Sequence, residues 1–174
     1  DVFELGGQSR DAPQRGALEL RPGRSEIVID TDNFPTDRYV VEGIAAELGL
    51  SIAWVATDPR AGIEAELLAP ALSERTALVV LSHVAYRSGH LADAEAITRQ
   101  AHDVGAMTLW DLCHSVGTMD LHLDAVEVDL AVGCTYKYLN GGPGSPAFAY
   151  VARRHLADLD QPIPGWAGHA EPFS

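Results

Sequence analysis

One run restricts the fold of this chain more than any other. ALVVLSHV at 77–84 is almost continuously apolar and rich in β-branched side chains. A strand of that kind has no face to offer water, so it belongs inside a parallel sheet covered on both sides. Around it, strand-like and helix-like segments alternate. IVID (27–30), SIAWVA (51–56), AMTLWD (106–111), VDLAVGC (128–134) and PAFAYVA (146–152) read as further strands. Between them, RYVVEGIAAELG (38–49) repeats Val40, Val41, Ile44, Ala45 and Leu48 at helical spacing, with Gly49 placed to end the helix in a left-handed cap. DAEAITRQAHDVG (93–105) puts Ala94, Ile97, Ala101 and Val104 on one face, and IEAELLAPAL reads as a short acidic helix interrupted at Pro70. This rhythm predicts an α/β layer with crossover helices.

Composition narrows the partners. At 174 residues the chain is long enough for one domain with a real core. Its 25 Asp and Glu against 12 Lys and Arg give a net charge of -13, which phosphate backbones and anionic lipid repel. The densest basic stretches, Arg21 to Arg24 and Arg153-Arg154, read as solvated surface. No apolar run approaches the roughly 20 residues of a spanning helix, and DVFELGGQSR lacks the order of a signal peptide, so a cytoplasmic protein is expected. Cys113 and Cys134 are expected to be reduced thiols. The first residue is not Met, the stretch to Gly16 is rich in Gly, Gln, Ser, Arg and Pro, and GWAGHAEPFS has no helix or strand period, which together suggest a piece of something longer.

Ligands of open α/β sheets bind beyond the carboxyl ends of the strands. There the sequence offers Asn33-Phe34-Pro35-Thr36-Asp37, Ser82-His83, Asp111-Leu112-Cys113-His114 and Thr135-Tyr136-Lys137-Tyr138. Lys137 is the only lysine in the chain. Partly buried between two tyrosines and the turn-rich LNGGPGSP, it suits Schiff-base chemistry, and Asp111 suits the counter-charge of a pyridinium nitrogen. Each has an ordinary reading as well: Lys137 as a snorkelling surface residue, Asp111 as a cap, Phe34 as core and His114 as a structural histidine. Cys113 and His114 adjoin in sequence, which disfavours a thiol hydrolase, and the histidine spacings suggest no metal site. GGPGSP is not a phosphate fingerprint of the GxGxxG kind.

NFPTD at 33–37, WDLCHSVG at 110–117, VDLAVGCTYKYLNGGPGSPAFAYV at 128–151 and GWAGH at 165–169 together closely resemble the kynureninase family. These are pyridoxal 5′-phosphate enzymes of the aspartate-aminotransferase fold. The resemblance spans about 17–170 and implies the central part of a fold-type I large domain over 17–160. Residues 1–16 match poorly, and 161–174 would lead toward a further domain. It implies that Lys137 carries the cofactor and moves the Cα proton. Asp111 would pair with the pyridine nitrogen, and Phe34 would stack on the ring with Pro35, Thr36 and Asp37 lining the pocket. Ser82 and His114 would contact the cofactor. Tyr136 would hold the phosphate and assist proton transfer, and Trp166 would reach the phosphate across a dimer interface. The implied reaction is hydrolysis of kynurenine or 3-hydroxykynurenine to anthranilate or 3-hydroxyanthranilate and alanine, by a homodimer that binds neither nucleic acid nor membrane. A cysteine-desulfurase-like lyase and a non-catalytic remnant are the alternatives. The Tyr-Lys-Tyr context and two poorly placed cysteines disfavour the first. The family's upstream phosphate loop and its downstream carboxylate-binding arginine have no counterpart here, so the segment alone is expected to be inactive.

Overall fold

The computed structural model describes residues 2–5 and 11–159. Seven strands, β1 (Val2–Leu5), β2 (Glu26–Asp30), β3 (Ser51–Val55), β4 (Thr76–Ser82), β5 (Met107–Asp111), β6 (Leu130–Cys134) and β7 (Ala147–Val151), form one sheet. Their order is β1-β7-β6-β5-β4-β2-β3. Strands β2 to β6 pair in parallel, and β7 lies antiparallel to both β6 and β1. The expected α/β architecture is therefore present, with one reversed strand.

The helices are α1 (Asp11–Glu19), α2 (Pro35–Leu48), α3 (Ala65–Leu68) and α4 (Ala94–Asp103). Alternation along the buried strands explains how both sheet faces are covered. Ile27, Ile29, Leu78 and Val80 point to one face and meet Ala17 of α1 with Val41 and Ile44 of α2. Val28, Val79, Leu81 and Trp110 point to the other and meet Leu68 of α3 with Ile97 and Ala101 of α4. The Trp110 indole N–H donates to Thr98 Oγ1 at 3.2 Å, so even the largest core side chain has its polar atom satisfied. Among the described residues, no helix is long and apolar enough to cross a membrane.

Several boundaries follow the local chemistry. Gly49 caps α2 at φ 67°, the left-handed conformation expected of it. Helix α2 begins at Pro35 rather than at residue 38, because a proline at the first helical position fixes φ and gives up an N–H that would have no helical partner. Pro35, Thr36 and Asp37 thus form the first turn of α2 instead of a free loop. The acidic segment shortens to α3 and a 3₁₀ turn over Ala69–Ala71 that contains Pro70.

Three arginines expected as solvated surface are hydrogen-bonded to the fold, Arg21 and Arg24 partly buried and Arg154 exposed as expected. Arg21 Nε donates to Gly105 O at 3.1 Å and Arg24 Nη1 to Thr76 O at 2.7 Å. Arg154 Nη2 lies 2.7 Å from Asp129 Oδ1. Asp129 is almost fully buried just before β6, and it also receives Thr108 N at 2.8 Å. His102 Nε2 of α4 meets its Oδ2 at 2.8 Å, and His155 Nε2 its Oδ1 at 2.7 Å. Burial by itself raises the pKa of this carboxyl, but the hydrogen bonds from His102, His155 and the Thr108 amide hold it well below the usual range. One carboxylate thereby ties α4, β5, β6 and the segment after β7 together, at the end of the sheet opposite the candidate site.

Candidate active site

The parallel strands bring their carboxyl ends to one edge, and the register aligns two of the expected residues. Ser82, last in β4, pairs with Asp111, last in β5, and Asp111 pairs in turn with Val132 of β6. The ladder continues past the strands as His83 N donates to Asp111 O at 3.0 Å and Leu112 N to Val132 O at 2.8 Å. Asp111 is buried at this edge, and its Oδ1 accepts the Cys113 amide at 2.8 Å. That bond folds the chain into the turn that presents His114.

Lys137 enters from the loop after β6. Its Nζ stands 3.0 Å from His114 Nε2. It also lies 5.6 Å from the centroid of the Phe34 ring and 5.5 Å from that of Tyr136, so the cation sits between two aromatic rings. An ammonium has only donors, so His114 Nε2 must be the acceptor, which puts the neutral ring's proton on Nδ1. Two glycines make the approach possible. Gly117, at φ 84°, packs so closely on the 136–139 segment that a Cβ there would stand 2.7 Å from Tyr138 O. A Cβ on Gly141 would stand 2.8 Å from Ser145 Oγ and 3.0 Å from Thr135 O. The Asn-Gly-Gly-Pro-Gly turn thus folds back onto Thr135, where Gly141 N donates to Thr135 O at 2.9 Å.

Phe34 is held from below by Asn33, which is almost fully buried. Asn33 Nδ2 donates to Val80 O at 3.2 Å, and its Oδ1 accepts Phe34 N at 2.7 Å and Ser82 Oγ at 3.1 Å. One amide side chain thus joins two of the expected site residues to β4. Asp30, at the end of β2, borders this group. Burial pushes its carboxyl up to about 6, against the lowering effect of hydrogen bonds from the Asp32 amide and Asn33.

Lys137 gathers His114, Phe34 and Tyr136 around its amine, and Asp111 and Ser82 lie on the same sheet edge through their register. Pro35, Thr36 and Asp37 follow Phe34 in α2, where Asp37 is buried, Pro35 partly buried and Thr36 exposed. Trp166 lies outside the described residues. His83 leaves the cluster: its ring packs near-perpendicular to Trp110 at 5.8 Å, on the face of α4, where burial lowers its pKa and favours the neutral form. Neither cysteine forms a disulfide, and both are buried. Sequence reasoning missed the anchoring role of Asn33 within its own motif. It also missed Tyr86, whose ring stands 5.3 Å from that of Phe34 at 85°. Only the turn residues around Asn33 hinted at the first, and no local signal marked the second.

A mostly parallel sheet, covered on both faces, with a lysine, an aspartate and an aromatic ring at its carboxyl edge defines a fold-type I domain, and the chain belongs to the aminotransferase class-V family, whose sequence model matches residues 12–166. Within that family, it is 44% identical to the kynureninase of Burkholderia mallei (strain SAVP1) over 153 residues, covering 88% of this chain and 36% of that relative. The kynureninase of Pseudomonas fluorescens is 42% identical over the same length. The chain thus spans about a third of the length of the curated relatives it matches. Among solved structures, the apo cysteine desulfurase of Thermococcus onnurineus NA1 superposes with a TM-score of 0.79 at 19% identity, covering 94% of this chain and 41% of that one. That likeness shows the fold.

Proposed function

We propose that the full-length protein is a pyridoxal 5′-phosphate-dependent hydrolase of the kynureninase type. It would cleave kynurenine or 3-hydroxykynurenine with water to anthranilate or 3-hydroxyanthranilate and alanine. The observation that carries this reading is the placement of Lys137 against His114, Phe34 and Tyr136 at the carboxyl edge, in a chain 44% identical to a kynureninase over 153 residues. The donor set fits the cofactor. It offers one primary amine, a buried carboxylate at a neighbouring strand end, an aromatic ring beside the amine and a hydroxyl on β4.

When bound, the cofactor would supply an electron sink for charge that develops at the substrate's Cα. The chain's own residues would do the rest. Lys137 would hold the cofactor through its amine and carry the proton to and from Cα. Asp111 would give the ring nitrogen its counter-charge from a site that excludes water. Phe34 would flank the ring, and Ser82 and His114 would border it. Pro35, Thr36 and Asp37 would line the pocket from the first turn of α2, where the positive end of the helix favours anionic groups. Tyr136, half-exposed beside Lys137, would bind the phosphate and pass a proton toward the substrate carbonyl. Trp166 would serve the phosphate as well. In the reaction the Cβ–Cγ bond breaks, the hydroxyl of water adds to Cγ to form the carboxyl of anthranilate, and a proton completes the methyl of alanine.

We take the protein to be a cytoplasmic homodimer that binds no nucleic acid or membrane, in keeping with its net charge of -13. Residues 17–160 would be the central part of the cofactor-binding large domain and 161–174 a connection to a further domain. A desulfurase-like lyase is the second reading, favoured by the fold shared with cysteine desulfurase. It needs a mobile thiol to accept sulfur, and Cys113 and Cys134 are both buried. Incubating the full-length protein and cofactor with kynurenine, and separately with cysteine, tests the choice. Anthranilate and alanine from the first, with no sulfide from the second, is the expected result. Sulfide without anthranilate would move the assignment to the desulfurases, and neither product would point to a non-catalytic remnant.

A further inference from the structure

A phenyl ring has no hydrogen-bonding group, so the plane of Phe34 is set by what packs against it. Tyr86 packs there edge-on, centroid to centroid 5.3 Å at 85°. It belongs to the segment 84–91, which closes on itself: Val84 bridges Leu91, Ala85 N donates to His90 O at 2.9 Å, and Gly89 N to Ala85 O at 2.9 Å. This closed loop is docked on the 61–63 segment. Ser88 Oγ donates to Ala61 O at 3.4 Å, and His90 Nε2 lies 3.1 Å from Ile63 O. The Tyr86 hydroxyl accepts Arg87 Nε at 2.7 Å, and the same guanidinium reaches Asp32 Oδ1 at 3.3 Å, two residues before Phe34. Tyr86, Arg87 and Asp32 therefore join the loop after β4 to the turn that bears Phe34.

We propose that Tyr86 is a positioning residue. Braced by Arg87 and Asp32, it fixes the plane in which Phe34 meets the cofactor ring. The proposal rests on the reading of Phe34 and Lys137 as cofactor contacts. No role for Tyr86 follows from the motifs at 33–37, 110–117 or 128–151, because it lies in none of them. Its geometry is that of a preorganised support: the ring is half-buried, the phenol is tied, and the loop that carries it is closed by its own hydrogen bonds. A supporting aromatic contributes through orientation, so its removal should alter how the cofactor is held more than whether the chain folds.

The test uses the full-length protein with pyridoxal phosphate. Three quantities are read for wild type, Tyr86→Leu and Arg87→Gln: the cofactor's dissociation constant by fluorescence, its visible circular dichroism, and the unfolding midpoint of the apoprotein. Tyr86→Leu is expected to weaken binding about three- to tenfold, the range an edge-to-face aromatic pair is worth, and to diminish the dichroic band while the apoprotein midpoint holds. Arg87→Gln, at an exposed side chain, is expected to change the band in the same sense and by less. A wild-type band in both variants overturns the proposal. So does a Tyr86→Leu protein whose apo and cofactor-bound forms lose equal stability with the band unchanged, since Tyr86 would then serve the fold alone. A wild-type protein that binds no cofactor defeats the functional reading itself, a result distinct from either of these.

Discussion

Lys137 Nζ and His114 Nε2 stand 3.0 Å apart, although 23 residues separate them in sequence. His114 is presented by the turn after β5 and Lys137 by the turn after β6, and the parallel pairing of those two strands brings the turns side by side. The imidazole accepts a hydrogen bond from the amine and so fixes where the amine points.

His114→Ala removes that acceptor. Turnover of kynurenine by the full-length protein is expected to fall about a hundredfold, at the lower end of what a positioned acid–base group contributes. The cofactor should still bind, because Lys137 remains. Steady-state kinetics beside an absorbance titration check both parts, and near-normal turnover would reduce His114 to a packing residue.

Asp111→Asn keeps the shape of the strand end and its acceptor for the Cys113 amide, so the fold should survive. The uncharged amide no longer favours a protonated ring nitrogen, and turnover should drop by several orders of magnitude. Circular dichroism in the far ultraviolet would verify the fold, and kinetics the loss. A variant as active as wild type would show the carboxylate to be a turn cap.

Two buried carboxyls give stability opposite dependences on pH. Asp30 has its pKa raised to about 6 in the folded chain from 3.8, so the folded state holds its proton more tightly and loses stability as pH rises from about 4 to about 6. Asp30→Asn should therefore stabilise the protein at pH 8 by about 2–3 kcal/mol, because each tenfold change in proton affinity is worth about 1.4 kcal/mol. Urea unfolding of variant and wild type at pH 5 and pH 8 measures it, and a variant less stable at pH 8 would contradict the assignment.

Asp129 has the reverse sign. Its lowered pKa gives stability that is present above pH 4 and lost as pH falls through the folded value. Asp129→Asn leaves Arg154, His102 and His155 facing a neutral amide, and it should cost about 3 kcal/mol at pH 7. The gap to wild type should narrow below pH 4. An unchanged midpoint in urea at pH 7 would show that these contacts add nothing net.

How much of this is legible in the sequence depends on how local each signal is. Gly49 as a left-handed cap, the buried run of β4 and the strand ends at Asp111 and Cys134 are written in short stretches, and the structure has them there. The direction of β7 is not, because PAFAYVA is equally apolar whichever way it runs. The start of α2 at Pro35 is hidden because NFPTD has the turn-forming residues of a loop. The Asp129 cluster joins His102, Thr108, Arg154 and His155 across up to 27 residues of separation, and Tyr86 meets Phe34 across a gap no motif spans. Such contacts follow from the sheet order, which no local pattern encodes. Strand β1 and helix α1 go unsignalled because the stretch to Gly16 has the composition of a loop.

Lys137 as the residue that carries the cofactor can be tested by trapping the cofactor on it. The full-length protein is loaded with pyridoxal phosphate, reduced with borohydride, digested and mapped by mass spectrometry. A visible band that borohydride bleaches and a pyridoxyl label on the peptide containing Lys137 are expected. A label on any other lysine of the full-length protein, with Lys137 unmodified, would contradict that role.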